Sequence, residues 1–241
     1  MIGLRNSAIV RVRTSLARRA AAEALGTGLL LAAVVGSGIM GERLSGGNIA
    51  LALMANSMAT GAALVAILLS FGGISGAHLN PVVSLSMAWE RSLDWRDVPA
   101  YLGSQCAGAL LGVAAADAMF SEPLFSMSLH ARQGPAQLLS EAVATFGLVS
   151  VVWGCARTRP ASAPFAVGAY ITAAYWFTSS TSFANPAVTL ARSVTNTFAG
   201  IRPTDVPAFI LAQSAGAIVA TVVLRGLAPP LERVGEPHES A

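Results

Sequence analysis

Two stretches of this chain, residues 48–89 and 161–191, contain no Asp, Glu, Lys or Arg. Each is far longer than the ~20 apolar residues that one bilayer crossing needs. Each also holds an Asn-Pro pair, Asn80-Pro81 in "SGAHLNPVVSLS" and Asn185-Pro186 in "SFANPAVTLARS". Asn is a strong N-cap, and Pro fits the first helical turn, where its missing N–H costs nothing. Asn-Pro therefore starts a helix after a break, and each long stretch resolves into a full span, a re-entrant loop and a half-helix. Four further uncharged stretches, 24–41, 98–116, 142–156 and 206–224, supply one span each. The expected fold is an all-α membrane protein with six transmembrane helices and two re-entrant half-helices.

Composition agrees with a bilayer as solvent. Charged residues make up 11% of the chain, against roughly 25% in a soluble domain, and the mean hydropathy is +0.62. The basic residues are all arginine. With six spans, Arg5, Arg11, Arg13, Arg18, Arg19, Arg91, Arg96, Arg157, Arg159, Arg225 and Arg233 share one side, and Arg43, Arg132, Arg192 and Arg202 the other. Positive residues favour the cytoplasm, so both termini are expected inside. The basic N-terminus, 1–19, reads as a cytoplasmic segment that can lie on anionic lipid, not as a nucleic-acid site. Its apolar continuation is too long for a cleaved signal peptide. The tail, 227–241, reads as a disordered cytoplasmic end. Cys106 and Cys155 lie in apolar surroundings and read as packing residues, and His78, His130 and His238 are too scattered for a metal site. No cofactor is implied. Glycines recur as helix-packing residues, with no phosphate loop after a strand and no enzyme signature.

The channel region, 20–226, is a repeat with halves of about 20–120 and 138–226. "DVPAYLGSQCAGALLG" from Asp97 aligns with "DVPAFILAQSAGAIVA" from Asp205, matching at eight of sixteen positions. Glu23 and Glu141 each stand near the start of a half, and Gln105 and Gln213 recur in the matched blocks. Three spans per half is an odd number, so the halves are inverted in the membrane. The two half-helices then enter from opposite leaflets, with their N-termini meeting near the midplane. Each end carries roughly half a positive charge. Each Asn oxygen can cap its own helix while its amide N–H groups face the lumen. Irregular backbone at this depth is tolerated where it is buried or lines a wet cavity. Gly76, Ala77, His78 and Leu79 are placed there before Asn80, and Ser179 to Ser182 before Asn185. His78 reads as a loop brace or as a gate worked by protonation. Loop carbonyls, central donors and a positive field make a path for neutral solutes that disfavours cations and proton relay.

These residues resemble the major intrinsic proteins, the aquaporins and aquaglyceroporins, over roughly residues 20–226. The resemblance identifies Asn80-Pro81-Val82 and Asn185-Pro186-Ala187 as the two pore motifs. It makes Glu23 and Glu141 braces of the re-entrant loops, and it implies a homotetramer with one pore per subunit. Two departures stand out. Val82 replaces the usual alanine, a small enlargement at the half-helix contact. Val188 stands where the family carries a constriction arginine. By spacing, the constriction comprises Thr60, Ser182, Val188 and a fourth residue that is Tyr175 if counted from Gly168, or Ala173 if counted back from Asn185. Arg192, one turn after Val188, either snorkels to the interface or returns positive charge to the outer mouth.

The expected function is passive conduction of small uncharged solutes across a bacterial plasma membrane. Glycerol- or urea-like molecules and hydroxylated metalloids such as arsenite or methylated arsenicals are the expected substrates, with water as co-permeant. The metalloid expectation comes from resemblance to bacterial members that lack the constriction arginine and are linked to arsenic resistance. Alternatives are a water-only pore, an inverted-repeat secondary transporter and a closed-pore junction protein.

Overall fold

The computed structural model describes residues 14–227; the readings of the first thirteen residues and of the tail beyond Leu227 lie outside them. Eight α-helices follow in order: α1 (Leu16–Leu44), α2 (Ile49–Ser75), α3 (Pro81–Trp89), α4 (Val98–Met119), α5 (Pro135–Thr158), α6 (Ala163–Phe177), α7 (Pro186–Arg192) and α8 (Val206–Leu227). Helices α1, α2, α4, α5 and α8 are each long and apolar enough to cross a membrane. Helix α6 has 15 residues, about 22 Å at 1.5 Å per residue, and a 3-10 turn, Pro160–Ser162, lengthens it. The short helices α3 and α7 follow the two Asn-Pro pairs.

The halves repeat one packing scheme. Helix α1 lies against α2 and α4 as α5 lies against α6 and α8, and α2 meets α6 across the pseudo-twofold axis. The half-helices cross over, α3 also packing on α8 and α7 on α4. Polar contacts at the helix ends give the inversion. Arg19 at the start of α1 bonds Asp97 at the start of α4, 2.8 Å, and Arg43 at the far end of α1 bonds the Phe120 carbonyl beyond α4, 2.8 Å. Glu90, just past α3, faces Arg157 and Arg225 at the ends of α5 and α8. Ser193, just past α7, accepts at its carbonyl from Ser128 N in the α4–α5 loop, 3.0 Å. The half-helices therefore run from the middle to opposite faces.

Small residues let these helices approach closely. A Cβ on Gly108 would overlap the Ala24 carbonyl oxygen in α1, and one on Gly216 the Ala142 carbonyl oxygen in α5. Lipid tails are as apolar as Leu, so close van der Waals packing, not water exclusion, holds such contacts together. Gly61 and Gly168 meet in the same way between α2 and α6, each Cβ position lying within 2.9 Å of the other's carbonyl oxygen. Gly108→Val should lower stability by about 1–3 kcal/mol, read as thermal melting of the detergent-solubilised protein. Gly103→Ala, with no atom within 4 Å of the new Cβ and a better helix former in place of glycine, should not lower the melting point.

Candidate pore

The site begins with two loops that fold alike. Helix α2 ends on Gly76 in the left-handed region, φ 90°. Ala77 (φ 45°) and Leu79 (φ 52°) follow with positive φ, as do Ser182 (φ 53°) and Ala184 (φ 47°) at the equivalent places before Asn185. Such residues cost on the order of 1–3 kcal/mol each unless the surroundings impose them.

Here a buried carboxylate imposes them. Glu23 accepts from His78 N at 2.9 Å and Leu79 N at 2.7 Å, and also from Ser75 Oγ and Gln105 Nε2. Glu141 accepts from Phe183 N and Ala184 N, both at 2.9 Å, and from Gln213 Nε2. Both glutamates are fully buried. Each glutamine then reaches into its half-helix, Gln105 Nε2 donating to Ser84 Oγ at 2.9 Å and Gln213 Nε2 to Thr189 Oγ1 at 2.8 Å. Ser84 and Thr189 stand four residues after their asparagines, a further correspondence between the halves that the sequence displays.

The half-helices meet as expected at their N-termini, with one addition. Asn80 Oδ1 accepts from Val82 N, 3.1 Å, and Asn185 Oδ1 from Ala187 N, 3.0 Å, so each caps its own helix. One amide N–H of each asparagine does not face the lumen. Asn80 Nδ2 donates to the Ala184 carbonyl and Asn185 Nδ2 to the Leu79 carbonyl, both at 2.8 Å. These reciprocal bonds tie the two loops together and leave the second N–H of each amide for the cavity.

A cavity of about 1020 Å³ runs past both asparagines. It extends from Arg19, Ala161 and Pro164 on one face to Arg192 on the other. Leu30, Val34, Leu64, Leu148, Val167 and Ile171 form apolar wall; Gly76, Ala77, His78 and Leu79 contribute loop backbone. Thr60, Tyr175, Ser182 and Val188 line the same cavity. Thr60 Oγ1 and Tyr175 OH share a hydrogen bond of 3.2 Å, and Ser182 Oγ is buried without a partner among the described residues. Ala173 is exposed on the outside of α6. The Gly61–Gly168 contact fixes the register of α6 on α2, and Tyr175 lies about two turns past Gly168 on the same face. His78 lies tilted against Tyr101, ring centres 5.3 Å apart, and shares a 3.1 Å hydrogen bond with Ser84 Oγ, the arrangement of a braced loop.

Val82 joins Val149, Ala217 and Ala220 in an apolar cluster with α5 and α8. Arg192 does not snorkel. It is 2% exposed, its Nε donates to the Ala199 carbonyl, and its guanidinium carbon sits 3.4 Å from the centre of the Phe183 ring. Loop 193–202 folds back over α7, with Ile201 N bonded to Arg192 O at 3.2 Å, and so closes the route to the interface. Arg132, from the α4–α5 loop, was not singled out by sequence. It reaches the same ring at 4.9 Å, and burial lowers its pKa against the opposing pull of Glu141 and Tyr175.

Opposed half-helices around a continuous lumen, each loop held by a buried carboxylate, define a membrane channel of inverted-repeat design. Comparison with known proteins gives the family. The family model described as Major intrinsic protein matches residues 11–181 and 161–240, and the chain belongs to that family. It is 56% identical over 215 residues to Aquaglyceroporin AqpS of Rhizobium meliloti (strain 1021), covering 89% of this chain and 92% of that protein. It is 34% identical over 165 residues to Aquaporin NIP6-1 of Arabidopsis thaliana, covering 65% of this chain and 52% of that protein. Among solved structures, the aquaglyceroporin from Plasmodium falciparum shares the fold with a TM-score of 0.71 at 18% identity, over 88% of this chain and 97% of that one. The chain is thus an integral membrane channel for small neutral solutes, not an enzyme.

The braces carry a direct test. A glutamine in place of Glu141 must turn an amide N–H toward a donor that the carboxylate accepted. Glu141→Gln and Glu23→Gln should each cost about 2–4 kcal/mol, measured as a lowered melting point of the purified channel in detergent.

Proposed function

We propose that this channel conducts glycerol-like polyols, urea and hydroxylated metalloids such as arsenite or methylated arsenicals, with water as co-permeant. The observation that carries this reading is the makeup of the constriction. Thr60, Tyr175, Ser182 and Val188 are neutral, none is larger than the tyrosine, and they stand in a cavity with an apolar wall on one side and hydrogen-bonding loops on the other. A compact solute with several hydroxyls can lay its carbon edge on the wall and its oxygens along the loops. The name of the most similar relative described above, an aquaglyceroporin, supports the same substrate class.

Ion exclusion follows from the N-termini of α3 and α7, whose fields add at the asparagines and disfavour cations. A coupled transporter is disfavoured by what Glu23 and Glu141 do: they spend their oxygens on loop N–H groups and glutamine amides instead of facing the cavity as a pair that could bind a driving ion. The arginine distribution supports a cytoplasmic location for the face bearing Arg19, Glu90, Arg157 and Arg225, in a bacterial plasma membrane. The exposed apolar side chains Leu111, Leu139 and Leu211 suit lipid or the neighbouring subunits of a homotetramer.

Stopped-flow light scattering on proteoliposomes tests the reading. Glycerol, arsenite and water should all cross faster than in empty liposomes, with no dependence on sodium or on a pH gradient. Water flux with glycerol and arsenite at the empty-liposome rate would make this a water pore instead. Val188→Arg should suppress glycerol and arsenite flux several-fold more than water flux; unchanged solute selectivity would remove Val188 from the constriction.

A further inference from the structure

Val188 leaves the constriction without charge, yet positive charge is not missing from this end of the lumen. Arg192 follows Val188 by one helical turn, lines the cavity and is 2% exposed. Its Nε is fixed on the Ala199 carbonyl and its plane lies against Phe183, 3.4 Å from guanidinium carbon to ring centre. Phe183 is itself held in place: its N–H is bonded to Glu141, and its ring stands edge-on to Phe209 at 5.4 Å and 74°. Arg132 approaches the same ring, with Nε on the Gly200 carbonyl at 2.8 Å and Nη1 near the Ser180 carbonyl at 3.3 Å. Consecutive carbonyls of one loop thus hold two arginines on one ring, beside the re-entrant segment that ends at Asn185.

Neither guanidinium is neutralised by an ion pair among the described residues. Asp205 pairs with Arg202 at 2.9 Å and accepts the backbone N–H of Arg132, not its side chain. Glu141 lies behind the loop, where its oxygens take Phe183 N, Ala184 N and Gln213 Nε2. The opposite mouth supplies an internal comparison. There the equivalent aromatic pair is His78 and Tyr101, and Arg19 lies over Tyr101 at 5.9 Å. Arg19, however, is ion-paired to Asp97 at 2.8 Å. The same architecture carries an ion-paired arginine at one end and, at the other, two arginines without an ion pair among the described residues. An unpaired charge at membrane depth is costly and is kept where it faces water or a path for solute.

We propose that Arg192, backed by Arg132, is a second charge barrier of this channel, beyond the one at the half-helix N-termini, so that width and charge at this mouth are set by different residues one turn apart. Val188 leaves the lumen open to solutes larger than water, and Arg192 repels cations from it. For a cation passing about 8 Å from a unit charge, an effective dielectric near 20 would lower occupancy by roughly thirtyfold. The proposal rests on the chain being a channel for neutral solutes.

Urea and guanidinium are planar and nearly the same size but differ by one charge, so their flux ratio isolates the effect. In proteoliposomes, wild-type channel should pass urea and exclude guanidinium. Arg192→Leu should keep urea flux and lower the urea-to-guanidinium ratio by roughly thirtyfold. Arg192→Lys, which keeps the charge, should retain the wild-type ratio, and Val188→Arg added to Arg192→Leu should restore exclusion while narrowing the pore. Should Arg192→Leu not fold, Arg192→Gln gives the same reading with a shorter polar side chain that can still bond Ala199 O. A folded Leu or Gln variant that passes urea and excludes guanidinium as well as wild type overturns the proposal. Wild-type channel that passes neither urea, glycerol nor water overturns the channel reading itself.

Discussion

The lumen depends on two carboxylates that never touch it. Ala77, Leu79, Ser182 and Ala184 hold backbone conformations that L-residues resist, and their loops sit at a depth where lipid offers no hydrogen bonds. Glu23 and Glu141 resolve both problems at once, because a carboxylate accepts several N–H groups and charge-assisted bonds are roughly twice as strong as neutral ones. The cost of burying each anion is offset by three or four donors apiece. With the loops fixed, Asn80 and Asn185 can exchange their amide N–H bonds across the axis. The halves are therefore joined at the lumen itself as well as through the lipid-facing helices.

This dependence explains what could be read in the sequence. Residues that perform the bracing are polar in an apolar background, so Glu, Asn-Pro and Gln stand out, and their order repeats. Counting spans then gave the inversion. The Ser84 and Thr189 links were equally visible, at i+4 from each asparagine, but small hydroxyl residues are common in membrane helices and carry little signal alone. Counting alone does not choose between Tyr175 and Ala173, since the two counts disagree. A loop changes length without consequence, whereas the Gly61–Gly168 contact fixes α6 against α2 and with it Tyr175 against Thr60.

Other features were not legible because they depend on where a loop folds back. Helix periodicity places Arg192 one turn beyond Val188, near the end of α7, and an arginine at such a place ordinarily reaches for headgroups. What prevents this is the return of residues 193–202 over α7, which offers the Ala199 carbonyl to Nε. Arg132 is similar: nothing in its neighbourhood signals that the α4–α5 connection dips toward Ser180 and Gly200.

The repeat is close to symmetric where it holds the backbone and departs from symmetry where it meets the solute. Glu, Gln, Asn and the left-handed residues correspond pair by pair, because both loops face the same mechanical problem. At the positions two before each asparagine the halves diverge, His78 in one and Phe183 in the other. The histidine is bonded to Ser84 and packs on a tyrosine that donates its hydroxyl to the Ser75 carbonyl, 2.7 Å. The phenylalanine is a flat apolar support on which cations can lie, and two do. Since cation–π attraction is strongest where the cation is desolvated, a buried ring can hold guanidinium groups without a carboxylate that would cancel their field. An aromatic support therefore preserves the positive potential that an ion pair, as at Arg19 and Asp97, would remove. That difference gives a nearly symmetric scaffold two electrically unlike mouths.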